Sequence, residues 1–145
     1  MKPPAVIDSS TVLKWLVSEA DSDTALLLRE RYHFLVPELL IAECANVLWK
    51  RVRREEMTAE AAAFAVRLLQ LQPDNFVFTS MISLADSALE LAVSLEHPIY
   101  DCLFIALAVR ERCPFITSDE KLLRKVANKE LPVISMEEAL ITNVR

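Results

Sequence analysis

Short apolar runs of strand length alternate with helical patterns along the whole 145-residue chain, and that alternation leaves few folds open. Strands are predicted over about 5–8, 33–36, 75–79, 114–117 and 132–135. Helices are predicted over about 10–18, 21–31, 38–54, 58–71, 80–96, 99–112, 119–128 and 136–142. Pro37, Pro73, Pro98, Pro114 and Pro132 stand at joints between these segments. Regular alternation predicts an α/β fold: a parallel sheet of about five strands with helices on both faces, in three layers. With no repeat, low-complexity tract or long linker, residues 1–145 read as a single domain. In such sheets, ligands bind beyond the carboxyl ends of the strands.

Composition removes several function classes. The chain has no glycine, which excludes a Gly-rich phosphate loop, a dinucleotide fingerprint and a Gly-x-Ser-x-Gly elbow. Its two histidines, His33 and His97, lie in no His-Glu-x-x-His motif and beside no serine in a triad context, so zinc and serine hydrolysis are poorly supported. Cys44, Cys102 and Cys113 form no Cys-x-x-Cys pair and read as small buried helix residues in a reducing compartment. No apolar run approaches the roughly 20 residues of a membrane span. Met1-Lys2-Pro3-Pro4 leads straight into a strand, and a cytoplasmic protein without membrane contact is expected. The net charge of −5 gives no general attraction to nucleic acid, so any such contact must come from a local basic patch or a bound metal ion.

Four acids stand out against this background. Asp8 and Asp119 follow the strand-like runs Ala5-Val6-Ile7 and Phe115-Ile116-Thr117. Glu43 and Asp101 interrupt apolar helical stretches. A carboxylate among apolar neighbours is costly to desolvate unless something positive or hydrogen-bonding meets it. If all four meet at one edge of the sheet, the natural partner is a hard divalent cation.

Each acid also has a plain structural reading. Asp8 precedes Ser9, Ser10 and Thr11 and can cap a helix; Asp101 falls in a first helical turn, where the dipole favours negative charge. Thr117 and Glu120 match a Thr-x-x-Glu capping box, which leaves Asp119 free to point elsewhere. For Glu43, helical spacing puts a core stripe of Ile41, Ala45, Leu48 and Val52 opposite it, although Leu39, Leu40 and Val47 lie near it. Asp21 and Asp23 read as caps, Asp74 as part of a Pro-Asp-Asn turn and Asp86 as a structural residue of an ordinary amphipathic helix. Lys50 and Arg54 share a face with Glu43, about 10 and 16 Å further along the helix at 1.5 Å per residue, with Arg51 and Arg53 beside them. They read either as cations complementing a helix C-terminus or as a basic track leading phosphates toward the acids.

Taken in order, these segments resemble the PIN-domain ribonucleases, in particular the VapC-type toxins of toxin–antitoxin pairs. The resembling segments are Val6-Ile7-Asp8-Ser9-Ser10 with Leu13-Lys14-Trp15; Val36-Pro37-Glu38-Leu39-Leu40 leading to Glu43-Cys44-Ala45-Asn46-Val47-Leu48; Tyr100-Asp101-Cys102-Leu103 with Ala106-Leu107-Ala108; and Phe115-Ile116-Thr117-Ser118-Asp119 with Lys121-Leu122. The resemblance implies a homodimer, Mg²⁺- or Mn²⁺-dependent cleavage of RNA, and a cognate antitoxin that blocks the site. It puts the metal-binding role on Asp8, Glu43, Asp101 and Asp119, with supporting polar groups at Ser9 or Ser10, Asn46 and Thr117. Lys50, Arg51 and Arg54 are the candidates for RNA contact. The missing glycines depart from family usage at loops such as Arg54-Glu55-Glu56.

The leading expectation is therefore an endoribonuclease of a type II toxin–antitoxin pair, leaving 5′-phosphate and 3′-hydroxyl ends because no histidine pair is present to activate a 2′-hydroxyl. Without metal, clustered carboxylates should retain some protons, since like charges raise pKa. The alternative is an inactive PIN-like module acting through a protein partner. A phosphoacceptor domain of the response-regulator kind shares the layered fold, but it needs an acidic pair after the first strand and a lysine after the last. Here Asp8 is followed by serines and the last strand by Ser135-Met136-Glu137.

Overall fold

A computed structural model describes residues 1–71 and 76–142. Its five strands are β1 (Pro4–Ile7), β2 (His33–Pro37), β3 (Phe76–Thr79), β4 (Phe115–Thr117) and β5 (Val133–Ser135). They form one parallel sheet in the order β3-β2-β1-β4-β5. The helices are α1 (Ser9–Leu16), α2 (Ser22–Arg31), α3 (Leu39–Arg53), α4 (Ala59–Gln70), α5 (Ala85–Leu95), α6 (Ile99–Glu111), α7 (Glu120–Val126) and α8 (Met136–Ile141). The chain winds outward from β1 through β2 to the β3 edge, then returns through α5 and α6 to β4 on the other side of β1. Right-handed crossovers therefore place α1–α4 on one face and α5–α7 on the other. The strand order reverses between β1 and β4, and the open crevice of such a sheet lies at that point.

Burial explains the arrangement. β1 and β4 carry Ala5, Val6, Ile7, Phe115 and Ile116 fully buried, as a strand covered on both faces requires. On the return path, α6 is buried continuously from Cys102 to Ala108 and packs against β1, β2 and β4. A helix apolar on every side belongs in the core, and this one carries Asp101 in its first turn. Across the sheet, α8 is seated on α2: the Tyr32 hydroxyl donates to the Ala139 carbonyl at 2.6 Å, and Arg31 donates to the carbonyls of Leu140 and Thr142.

The predicted α/β order holds, with local corrections. The segment expected as a helix from residue 80 opens as a short 3₁₀ turn, Ile82–Leu84, before α5 begins. The predicted turn at Asp74, the joint at Pro73 and the start of the third strand at 75 lie outside the described residues. Cys113 sits between α6 and β4, not in a helix; all three thiols are buried, and burial pushes those of Cys44 and Cys113 up to about 12 and about 11. Asp21 makes no side-chain cap for α2 and instead pairs with Lys14 at 2.8 Å. In α3 the buried stripe is Leu40, Cys44 and Leu48, not Ile41, Ala45, Leu48 and Val52. Leu39 through Ala42 offer apolar side chains in several directions, and it is the packing of α3 on β2 and α1 that selects among them. Glu43 consequently borders the buried stripe.

Without glycine, the left-handed positions fall to other residues. Glu55, Glu96 and Arg112 have φ of 59°, 52° and 53°, and the last two close α5 and α6 where glycine is the usual choice.

Candidate active site

Asp8 follows the last residue of β1 and caps α1. Its Oδ1 accepts from the Ser10 hydroxyl at 2.7 Å, the Thr11 N–H at 3.2 Å and the Thr11 hydroxyl at 3.1 Å. Its Oδ2 accepts, among the described residues, only from the Thr117 hydroxyl at the end of β4. Since Ile7 pairs with Ile116, that bond spans the crevice between β1 and β4. Ser10 has a single hydroxyl hydrogen, which goes to Asp8, so in its 2.9 Å contact with Ser118 the Ser118 hydroxyl is the donor. Burial raises the carboxyl pKa of Asp8 despite these hydrogen bonds, which oppose the shift.

Glu43 reaches the same region from α3 and Asp101 from α6. Burial pushes the Glu43 carboxyl up to about 7, and the charges of Asp101 and Asp8 push in the same direction. Among the described residues, no lysine or arginine forms an ion pair with Asp8, Glu43, Asp101 or Asp119. Asp101 Oδ2 instead meets His97 Nε2 at 2.6 Å.

Asp119 occupies a different position from the one its sequence context suggests. The capping box of Thr117 and Glu120 does not form. Asp119 itself caps α7, its Oδ1 accepting from the N–H groups of Lys121 and Leu122 at 3.0 and 3.2 Å. Thr117 binds Asp8 and accepts from the Asp119 N–H at 3.0 Å, while Glu120 faces solvent toward Arg124. An aspartate with N–H groups two and three residues ahead satisfies the helix start more directly than a threonine two positions further back in the strand. Asp119 is thus tied to Asp8 through Thr117.

The structure brings Glu43 within range of the charges of Asp101 and Asp8, with Ser10 and Thr117 holding Asp8. It leaves Ser9 and Asn46 without side-chain hydrogen bonds among the described residues, Asn46 being exposed one turn beyond Glu43. Among the described residues, no three His, Cys, Asp or Glu side chains are gathered tightly enough to enclose an ion. The acids thus share one region of the sheet edge without the close meeting of all four that the sequence raised. Lys50, Arg53 and Arg54 line a shallow depression at the C-terminal end of α3. Arg51 points elsewhere, to Glu19 at 3.1 Å. Sequence reasoning missed His97 and Ser118. The four-residue spacing from His97 to Asp101 was the available signal for the first; nothing local marked the second.

Comparison with known proteins agrees with this fold. The sequence profile of the PIN domain matches residues 5–129, and the chain belongs to the PIN domain family. Among solved structures it is similar to PAE2754 from Pyrobaculum aerophilum, at 23% identity over 97% of this chain and 96% of that one, with a TM-score of 0.69. It is also similar to VapBC2 from Rickettsia felis bound to a DNA fragment from their promoter, at 14% identity, 91% and 98% coverage and a TM-score of 0.65. A third is VapC20 of Mycobacterium tuberculosis, a Sarcin-Ricin loop cleaving toxin, at 15% identity, 78% and 86% coverage and a TM-score of 0.60. No curated protein matches the chain by sequence.

Proposed function

We propose that this chain is a divalent-metal-dependent endoribonuclease, the VapC-type toxin of a type II toxin–antitoxin pair. The observation that carries the proposal is the set of carboxylates at the sheet crevice that no lysine or arginine among the described residues neutralises, Glu43 being pushed up to about 7 by burial and by the charges of Asp101 and Asp8. An all-oxygen donor set fits Mg²⁺ or Mn²⁺. Mg²⁺ keeps several waters and takes only one or two carboxylates directly, so an open crevice suits it better than a closed cage. Asp8 and Asp101 are the proposed core ligands, with Glu43 and Asp119 completing the shell or orienting water. When bound, the ion supplies positive charge to the scissile phosphate and lowers the pKa of water.

The chain's own groups do the rest. Three donors fill Asp8 Oδ1 and one meets Oδ2, so Oδ2 is the oxygen with capacity left to face a ligand. A Glu43 carboxyl near neutrality is suited to take a proton from the attacking water. Lys50 and Arg54 offer positive charge to the RNA backbone, joined by Arg53. Arg51 is less available because Glu19 holds it.

An antitoxin partner and a homodimer belong to the same proposal. Two of the similar structures are described as a toxin–antitoxin complex from Klebsiella pneumoniae and as the VapBC2 pair. Exposed Trp49, Phe64, Leu68, Leu89 and Val93 leave apolar helix surface for such contacts. The setting proposed is the cytoplasm; among the described residues no single helix is long and apolar enough to cross a membrane. The experiment is cleavage of RNA with Mg²⁺ or Mn²⁺ and analysis of the ends. Metal-dependent products with 5′-phosphate and 3′-hydroxyl ends support the reading. A 2′,3′-cyclic phosphate, or equal cleavage in chelator, contradicts it.

A further inference from the structure

We infer that His97 is a positioning residue for Asp101: its imidazole N–H holds the carboxylate in the orientation that presents the remaining oxygen to a divalent ion. The inference rests on the proposed function above and deepens it.

The backbone around His97 is fixed from several directions. Glu96 ends α5 in the left-handed conformation, and the His97 N–H then donates back to the Ala92 carbonyl at 3.1 Å. Pro98 caps α6 immediately afterwards with φ −54°, so the chain bends by 116° between the two helical segments within a few residues. Lys125 of α7 donates to the Glu96 carbonyl at 2.7 Å, and the Cys102 thiol lies 4.0 Å from the His97 carbonyl. A side chain leaving such a corner has a defined origin. From there Nε2 reaches Asp101 Oδ2 at 2.6 Å, with the two side chains only 17% and 30% exposed. An ionised carboxylate has no hydrogen to give, so the hydrogen in this bond sits on Nε2.

Asp101 otherwise has little to hold it. It stands in the first turn of α6, and no other side-chain or backbone donor meets its carboxylate among the described residues. Asp8, by comparison, has four donors. A lone carboxylate on a helix turns between rotamers, whereas one anchored at Oδ2 keeps Oδ1 in place. Partners that orient a ligating carboxylate are worth on the order of 10–100-fold in metal affinity.

The test uses the full-length protein and Mn²⁺ as the probe. Melting temperature is followed against Mn²⁺ concentration for wild type, His97→Ala, His97→Gln and Asp101→Asn, and RNA cleavage is measured at saturating Mn²⁺. The expected result is that His97→Ala needs about 10-fold more Mn²⁺ for half of the thermal shift. Cleavage at saturating metal should be largely retained. His97→Gln, whose amide N–H reaches as far as Nε2, should recover most of the affinity. His97→Asn is polar but too short to make the bond, and it carries the same prediction as alanine should the alanine variant not fold. A wild-type Mn²⁺ midpoint in both short variants overturns the inference. So does normal Mn²⁺ binding with cleavage lost at saturation, which would make the imidazole a proton-transfer group. The underlying functional reading fails separately, and the inference with it, if wild type shows no Mn²⁺ shift or Asp101→Asn keeps one.

Discussion

Asp8 serves as a helix cap and as a candidate ligand at once, because its two oxygens have different neighbours. Oδ1 is committed to α1 and Oδ2 to the crevice. Replacing Thr117 by Val removes the only donor to Oδ2 among the described residues, from a buried pair. That change should lower stability by roughly 1–3 kcal/mol, measured by denaturant unfolding. Asp8→Asn and Asp101→Asn should each reduce RNA cleavage by more than about 100-fold, a larger loss than removal of an outer partner causes, with circular dichroism unchanged. Glu43 gives the pH dependence. Its carboxyl is raised from 4.5 to about 7 in the folded chain. Between those values the folded state keeps a proton that the unfolded state has released, so stability falls as the pH rises from about 4.5 to about 7 and levels off above that. Partial exposure discounts the effect to on the order of 2 kcal/mol. Glu43→Gln should flatten that slope in the absence of metal; an unchanged slope would mean that the proton is held elsewhere. Apolar neighbours made the four acids stand out in the sequence, and the proximity of Asp8 and Asp101 to Glu43 follows that pattern, while Asp119 turned out to cap α7. Their partners were not legible: hydrogen bonds such as Thr117 to Asp8 and Ser118 to Ser10 join residues more than a hundred positions apart, and no local pattern encodes them.

Strands and helices were more transparent than side-chain partners, for a physical reason. Buried parallel strands and core helices write long apolar runs into the chain, and proline marks the joints, so element type and order follow directly. What periodicity could not fix was rotation. In α3, apolar residues on several sides allow more than one stripe, and docking on β2 and α1 puts Leu40, Cys44 and Leu48 inward. That rotation moves Glu43 to the margin of the core, where burial raises its pKa. The start of α7 was misread because two capping patterns overlap, and the aspartate won over the threonine. The absence of glycine has a measurable consequence here too. Arg112 closes α6 with φ 53°, a conformation that costs a side-chain-bearing residue about 1 kcal/mol or more. Arg112→Gly should therefore raise stability by roughly 0.5–1 kcal/mol, after allowing for the greater freedom of glycine in the unfolded chain. A lower melting temperature in that variant would contradict the assignment of strain to the cap.

The fold brings distant acids together through its topology. Strand order reverses between β1 and β4, so the carboxyl ends of those two strands and the starts of α1 and α7 face one crevice, with α3 and α6 reaching it from opposite faces of the sheet. The resulting charge is locally uncompensated, in a molecule whose net charge is already −5. On the proposed function a divalent ion would offset that repulsion, with Lys50, Arg53 and Arg54 forming a basic depression at the end of α3. Anomalous diffraction from crystals soaked in Mn²⁺ tests this most directly. The account predicts an anomalous peak in the β1–β4 crevice, in contact with carboxylate oxygens of Asp8 and Asp101. Soaked crystals with no peak there, or with Mn²⁺ only on surface carboxylates elsewhere, would contradict it.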